Sequence, residues 1–243
     1  MGMVQMALCD GGIVSQPYQY YRDNKATYDA IADRLERTRQ TYLDAPDEVR
    51  LRLLFDSATY ALLTANTPLQ QADKAFAIYR EHYPDITPEV LGKEMAENGI
   101  GFYNMKATYI RDNLDARDEI FVPVDNLLVT GKDRHVQQVL MDARGIGPAK
   151  SAFTLAMLGF TDHACIDTHV AQYLGIDPRI YEKYSADEYR ALADEVFSAV
   201  PDLRDEVTPF LLQWIVFDIH RGKIEEHDLW FEHVERISEG ISA

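Results

Sequence analysis

A chain of 243 residues with 47% hydrophobic content can bury a sizeable core in one or two domains, which excludes disorder of the whole. Its formal net charge of -16 argues against a binder that grips nucleic acid by bulk electrostatics alone. No apolar run approaches the roughly 20 residues of a membrane span, no basic region precedes the short apolar patch at the N-terminus, and the two cysteines, Cys9 and Cys165, are too few for a disulfide framework, so the sequence reads as a soluble, cytoplasmic protein.

Residues 1 to 17 lack periodicity and close on Pro17, the mark of a loosely held, flexible arm. From Tyr18 a helical pattern begins, with Ile31, Leu35, Leu43, Tyr28 and Tyr42 roughly on one face of a long helix that Ala45-Pro46 stops. Leu51 to Ala65 is apolar all round, as suits a central helix, and Thr67-Pro68 closes it and starts the next. The same Thr-Pro start recurs at Thr87-Pro88 and Thr208-Pro209. Shorter helices fill the stretch from Gly92 to Gly131, where Phe121-Val122-Pro123-Val124 reads as an extended linker because no partner strand is evident. Lys132 to Ala143 reads as the first helix of a hairpin pair.

Gly145-Ile146-Gly147 is then a tight glycine turn, and Pro148 stands where a first helical residue belongs, its fixed φ suiting the position and its missing amide costing nothing. The free amides of that helix start, the helix dipole and Lys150 in the first turn make a site for one phosphate. One apolar helix later, Asp167 precedes Thr168-His169-Val170 as the cap of the next helix, a position that holds the carboxylate fixed and ionised. Beyond it come Asp177-Pro178, a capping box at Ser185 and Glu188, an apolar helix from Phe210 to Ile219 that includes Trp214, a stop at Arg221-Gly222, and a final amphipathic helix with Trp230, Phe231 and Val234. The whole reads as all-α.

The Gly-Ile-Gly hairpin, the apolar helix and the Asp-Thr-His-Val tail together resemble the helix-hairpin-helix DNA glycosylases, the superfamily of endonuclease III and the 8-oxoguanine glycosylases. Leu62-Leu63-Thr64-Ala65-Asn66 is similar to that family's early helix end, and Gly101 to Ile110 is similar to a segment of the archaeal-type 8-oxoguanine glycosylase/lyases. The resemblance covers roughly residues 50 to 222 and is sharpest from Arg144 to Val170. It implies two helical lobes with a DNA-binding cleft between them: a barrel with the hairpin at about residues 52–162, and a second lobe from residues 18–51 and 163–243, with the link after Gly159 crossing the cleft floor. Its partner would be double-stranded DNA carrying a damaged base, bound by a monomer associated with the nucleoid. A sodium or potassium ion at the hairpin is a further implication. The four-cysteine iron–sulfur cluster of endonuclease III has no counterpart here, and no other metal site is expected.

Breaking a base–sugar bond develops positive charge on the sugar, so the chemistry calls for a carboxylate near the anomeric carbon, and Asp167 is the candidate. The resemblance makes Asn66 the residue that fills the gap left by a flipped base. It also puts the lyase lysine, whose amine forms a Schiff base with the sugar, two residues past the second hairpin glycine, where this chain has Ala149, 18 residues before Asp167. Lys150 stands one residue later, about 100° further round the helix. Water attack directed by Asp167 is therefore the preferred mechanism, a bifunctional 8-oxoguanine-type glycosylase/lyase using Lys150 the alternative, and a non-catalytic DNA-binding module the rival from another class. DNA contacts are expected from Gly145, Ile146, Gly147, Ala149, Lys150, Asn66, Arg144 and His169, with Lys106, Arg111, Lys132 and Arg134 as further scarce cations near that face. The acidic surplus, with eight lysines against sixteen arginines, is like that of proteins made for a high-salt cytoplasm, where a Debye length of ~3 Å silences distant repulsion.

Overall fold

A computed structural model describes residues 15–132, 135–198, 201–204, 206–224 and 227–239, and all regular structure among them is helical. Most of the residues expected as an arm lie outside this range, and a helix already begins at Ser15. The first half of the chain gives α1 (Ser15–Asp23), α2 (Lys25–Asp44), α3 (Asp47–Thr64), α4 (Leu69–His82), α5 (Pro88–Glu97), α6 (Tyr103–Asp115) and α7 (Arg117–Val129). The second half gives α8 (Val136–Leu140), α9 (Pro148–Met157), α10 (Thr168–Tyr173), a 3-10 turn at Pro178–Lys183, α11 (Ala186–Ser198), α12 (Pro201–Arg204), α13 (Pro209–Arg221) and α14 (Asp228–Glu239). None of these helices is long and apolar enough to cross a membrane.

α3 is the axis, because every residue from Leu53 to Leu63 is buried and the helix packs against α4, α6, α7, α9 and α14. A helix apolar all round has no solvent face, which forces its neighbours to wrap it. The local start and stop signals work as the sequence implies. Pro88 and Pro209 are first helical residues, Ser185 and Glu188 close a reciprocal capping box, and Gly222 ends α13 at φ 68.

Two segments differ from the sequence expectation. Phe121 to Val124 is not an extended linker but the middle of α7, with Pro123 inside the helix. Tertiary burial outweighs the proline there: Phe121 meets Phe55 edge to face at 5.3 Å, and Asp125, one turn on, accepts from Tyr42 at 2.7 Å and from Arg50 at 2.9 Å. The first helix of the hairpin pair is shorter than Lys132 to Ala143, since α8 spans only five residues and gives way to turns at Met141.

Asp56 sits at the centre of the α3 packing. Its carboxylate is fully buried and accepts hydrogen bonds from Tyr79 on α4, from Arg52 at 2.6 Å and from His233 on α14 at 2.7 Å. Removing the acceptor leaves a buried hydroxyl, a guanidinium and an imidazole without their partner, so Asp56→Ala is expected to cost about 3–5 kcal/mol. Urea unfolding followed by circular dichroism measures it, and a loss under about 1 kcal/mol would mean that the carboxylate does not tie α4 and α14 to α3.

Candidate active site

The hairpin is built by close packing. Gly145 holds φ +78, and a Cβ there would lie 2.4 Å from Cδ2 of Tyr109, so the turn can press on α6 only as glycine. Asn113 of α6 clamps the neighbouring residue from both sides, accepting from the Arg144 amide at 2.6 Å and donating to its carbonyl at 3.1 Å. Ile146 is 4% exposed, so its side chain belongs to the core and only its backbone borders the turn. Gly147 caps α9 in an extended conformation with open space around the position of a Cβ. The carbonyls of Ala143, Arg144 and Gly145 each accept a bond within the chain, and a sodium or potassium ion at the hairpin would have to share them.

From this turn α9 carries Ala149, Lys150 and Phe153 into a cleft of about 600 Å³. Asp167, Thr168 and His169 line the same cleft, as do Asn66 on one side and Gln213, Trp214 and Phe217 of α13 on the other. The anion site, the lysine and the carboxylate singled out in the sequence thus open into one space. Lys150 donates to the Gly145 carbonyl at 2.8 Å, and burial pushes its amine below the usual lysine value. Asp167 caps α10, its carboxylate accepting from the Val170 amide at 2.8 Å. The cap was expected to hold it ionised. Burial outweighs the cap, His169 and His220, and the carboxyl group lies above its ordinary value.

Asn66 follows the end of α3 in the left-handed region, at φ 53, with its side chain exposed at the cleft edge and no hydrogen bond to it among the described residues. His169 meets His220 Nδ1 to Nδ1 at 3.2 Å and stands edge-on to Phe217 at 5.3 Å. Among the expected surface cations, Arg144 pairs with Asp112 and lies over Tyr109, and Arg111 pairs with Asp115. Lys132 is exposed, and Arg134 lies outside the described residues. Lys106 is not a surface residue at all, being 3% exposed.

The far wall of the cleft was missed by sequence reasoning. Phe153, Phe210, Trp214 and His227 form a chain of edge contacts at 5.1–6.1 Å, and Phe217, which lines the same cleft, stands edge-on to His169. Within it Gln213 is 6% exposed, and among the described residues its Oε1 has no hydrogen-bond partner. The signal was one amide in the run Phe210-Leu-Leu-Gln-Trp-Ile-Val-Phe217, with an aromatic one helical turn after it. A buried acceptor left open in an aromatic-walled cleft suits a flat ligand with N–H donors.

Residues 35–196 match the family described as 8-oxoguanine DNA glycosylase. An 8-oxoguanine DNA glycosylase/AP lyase of Picrophilus torridus is 24% identical over 209 residues, spanning 84% of this chain and 97% of the relative. One of Saccharolobus solfataricus is 26% identical over 147 residues, 57% of this chain and 70% of the relative. The 8-oxoguanine DNA glycosylase of Thermotoga maritima has the same fold, with a TM-score of 0.67 at 19% identity over 88% of this chain and all of that one.

The two hairpin glycines separate two requirements. Gly145→Ala meets both a positive φ and the Tyr109 ring and is expected to lower stability by about 1–3 kcal/mol. Gly147→Ala, with open space around it, should stay within about 1 kcal/mol. Parallel denaturant melts of the two variants check the pair; equal losses would refute the packing account.

Proposed function

The chain belongs to the 8-oxoguanine DNA glycosylase family, a DNA glycosylase of base-excision repair, and from that premise we propose that it flips a damaged purine of the 8-oxoguanine kind out of duplex DNA into this cleft and cleaves its glycosidic bond with Lys150 and Asp167. The observation that carries the reading is the meeting of lysine, carboxylate, open acceptor and aromatic wall in one cleft beside the amide-rich start of α9. The free amides of Ala149 and Lys150 take one backbone phosphate, which fixes the register of the duplex without reading its sequence. Asn66 enters the gap that the flipped base leaves. The base lies against the aromatic wall, and Gln213 Oε1 accepts one of its N–H groups. Guanine and 8-oxoguanine both offer N1–H and the exocyclic amine, and 8-oxoguanine adds a donor at N7.

In the lyase mechanism the uncharged Lys150 amine attacks the anomeric carbon as the bond to the base breaks, and the bonding pair leaves with the base, which gains a proton. The carboxylate of Asp167 stabilises the positive charge on the sugar and takes a proton from the attacking nitrogen. Asp167 then returns that proton to O4′ as the C1′–O4′ bond breaks and the nitrogen lone pair forms the protonated imine, from which loss of a C2′ proton expels the 3′ phosphate. Burial favours this route over water attack, because it raises the share of unprotonated amine at neutral pH. The hydrogen bond to Gly145 supports the other reading, in which Lys150 is a hairpin brace and Asp167 directs water.

Borohydride added to enzyme and lesion-bearing duplex decides between them. A covalent adduct that Lys150→Ala abolishes is the expected result, whereas strand breaks that need alkali and no adduct would return the mechanism to water. Because the amine is lowered, trapping should rise with pH and level off below the ~10.4 of an ordinary lysine.

Asp167→Asn is expected to abolish excision while leaving the melting temperature unchanged or higher. A carboxyl group whose folded-state value is raised favours the fold at low pH and loses that contribution as pH rises through it; at neutral pH the buried charge costs stability, and an asparagine removes the cost while keeping the cap. Gln213→Leu should slow excision by about 10–100-fold, the worth of one hydrogen bond to a buried acceptor. A Gln213→Leu enzyme with the wild-type single-turnover rate would remove the residue from base recognition.

A further inference from the structure

Lys106 is a cation in the wrong place for stability. It lies on α6 with 3% exposure, no carboxylate pairs with it among the described residues, and its burial together with the charge of Lys150 holds its amine down to about 8. A methionine of similar length would fill the same space without that opposition. What the amine does is donate to the Leu63 carbonyl at 2.9 Å and to Thr67 Oγ1, and Thr67 Oγ1 in turn donates to the Ala65 carbonyl at 3.0 Å. The Leu63 oxygen belongs to the last turn of α3, where carbonyls lack helical partners and the dipole favours a cation. Ala65 and Thr67 are the residues on either side of Asn66, which is held in the left-handed region at φ 53, a conformation that asparagine adopts more readily than most residues but still at a cost.

We propose that Lys106 is a positioning residue for base flipping, whose ammonium locks the Leu63–Thr67 turn so that the Asn66 side chain stands ready at the cleft edge. The proposal rests on the gap-filling reading of Asn66 given above. The duplex does not reach the amine, which acts through Thr67 and the α3 terminus. Its substitution therefore alters the step in which Asn66 replaces the lost base and leaves Lys150 and Asp167 where they are.

The test uses the full chain with Lys106→Met, with Thr67→Val as a second variant that breaks the lock and leaves the buried amine in place, and with Asn66→Ala alongside. Amide hydrogen exchange is read over residues 62–68, and single-turnover excision is measured on a duplex with the lesion paired and on one lacking the opposite base. The expected result for Lys106→Met and Thr67→Val is exchange at least about tenfold faster across the turn, slower excision from the paired duplex, and a much smaller change where no opposite base awaits Asn66. Unchanged exchange across the turn overturns the proposal, and so does an equal loss on both substrates, which would mark a general structural role. If Asn66→Ala excises the paired lesion at the wild-type rate, the gap-filling reading falls and Lys106 keeps at most a hold on the turn, which the exchange data report by themselves.

Discussion

Asp167 and Lys150 open into one cleft because the chain between them is jammed in place. α9 ends at Met157, and two residues on Gly159 holds φ +86 and lies so close to α2 that a Cβ would come within 2.3 Å of the Leu35 carbonyl. No residue but glycine lets the chain turn there against bare backbone. A few residues on, the Ile166 amide donates to the buried Tyr189 hydroxyl at 2.6 Å, and at the end of α9 the Trp230 indole donates to the Met157 carbonyl at 2.8 Å. The link is thus fixed at its start, by α2 and α14, and at its finish, by α11. A lysine and a carboxylate near one anomeric carbon must be held within a fraction of an ångström, and a link pinned at both ends supplies that where a free loop would not.

The same constraint explains why burial, more than charge, sets the chemistry of the cleft. Lys150 and Asp167 are pushed toward their uncharged forms, the amine downward and the acid upward, chiefly by desolvation. On the proposed reading desolvation brings the amine closer to the unprotonated form that attacks, and it makes the Asp167 carboxylate, while ionised, a stronger acceptor for the proton the amine gives up. The neighbours moderate this at Asp167, where the Val170 amide and then His169 and His220 favour the charged form.

What the sequence could disclose was local. The Gly-Ile-Gly turn, the proline at the start of α9, the cap at Asp167 and the box at Ser185 are each written within a few residues, and the helices start where those signals say. The all-α architecture and the apolar α3 follow from periodicity. Long-range packing was hidden. Pro123 signals a break, yet Phe121 and Asp125 find partners on α3 and α2 that hold α7 together. Lys106 looks like a surface cation among polar neighbours, and only the approach of the α3 terminus makes it buried. Gln213 and Phe217 read as part of one more core helix, because which face of α13 meets the cleft is decided by residues far along the chain.

The acidic surface and a DNA substrate are reconciled by where the remaining positive charge lies. Arg144 and Arg111, close to the hairpin, are spent on Asp112 and Asp115, while Lys150, Arg221 and His169 are inside the cleft. On the proposed reading, phosphate is left chiefly to the uncharged amides at the start of α9, whose dipoles act at contact range and are screened by salt far less than a field of surface lysines. Fewer cations laid against phosphates means fewer counterions released on binding, and the fall of affinity with salt is proportionally shallower. On that reading a chain with net charge -16 gives up long-range attraction and keeps contact recognition, a balance that concentrated salt would favour.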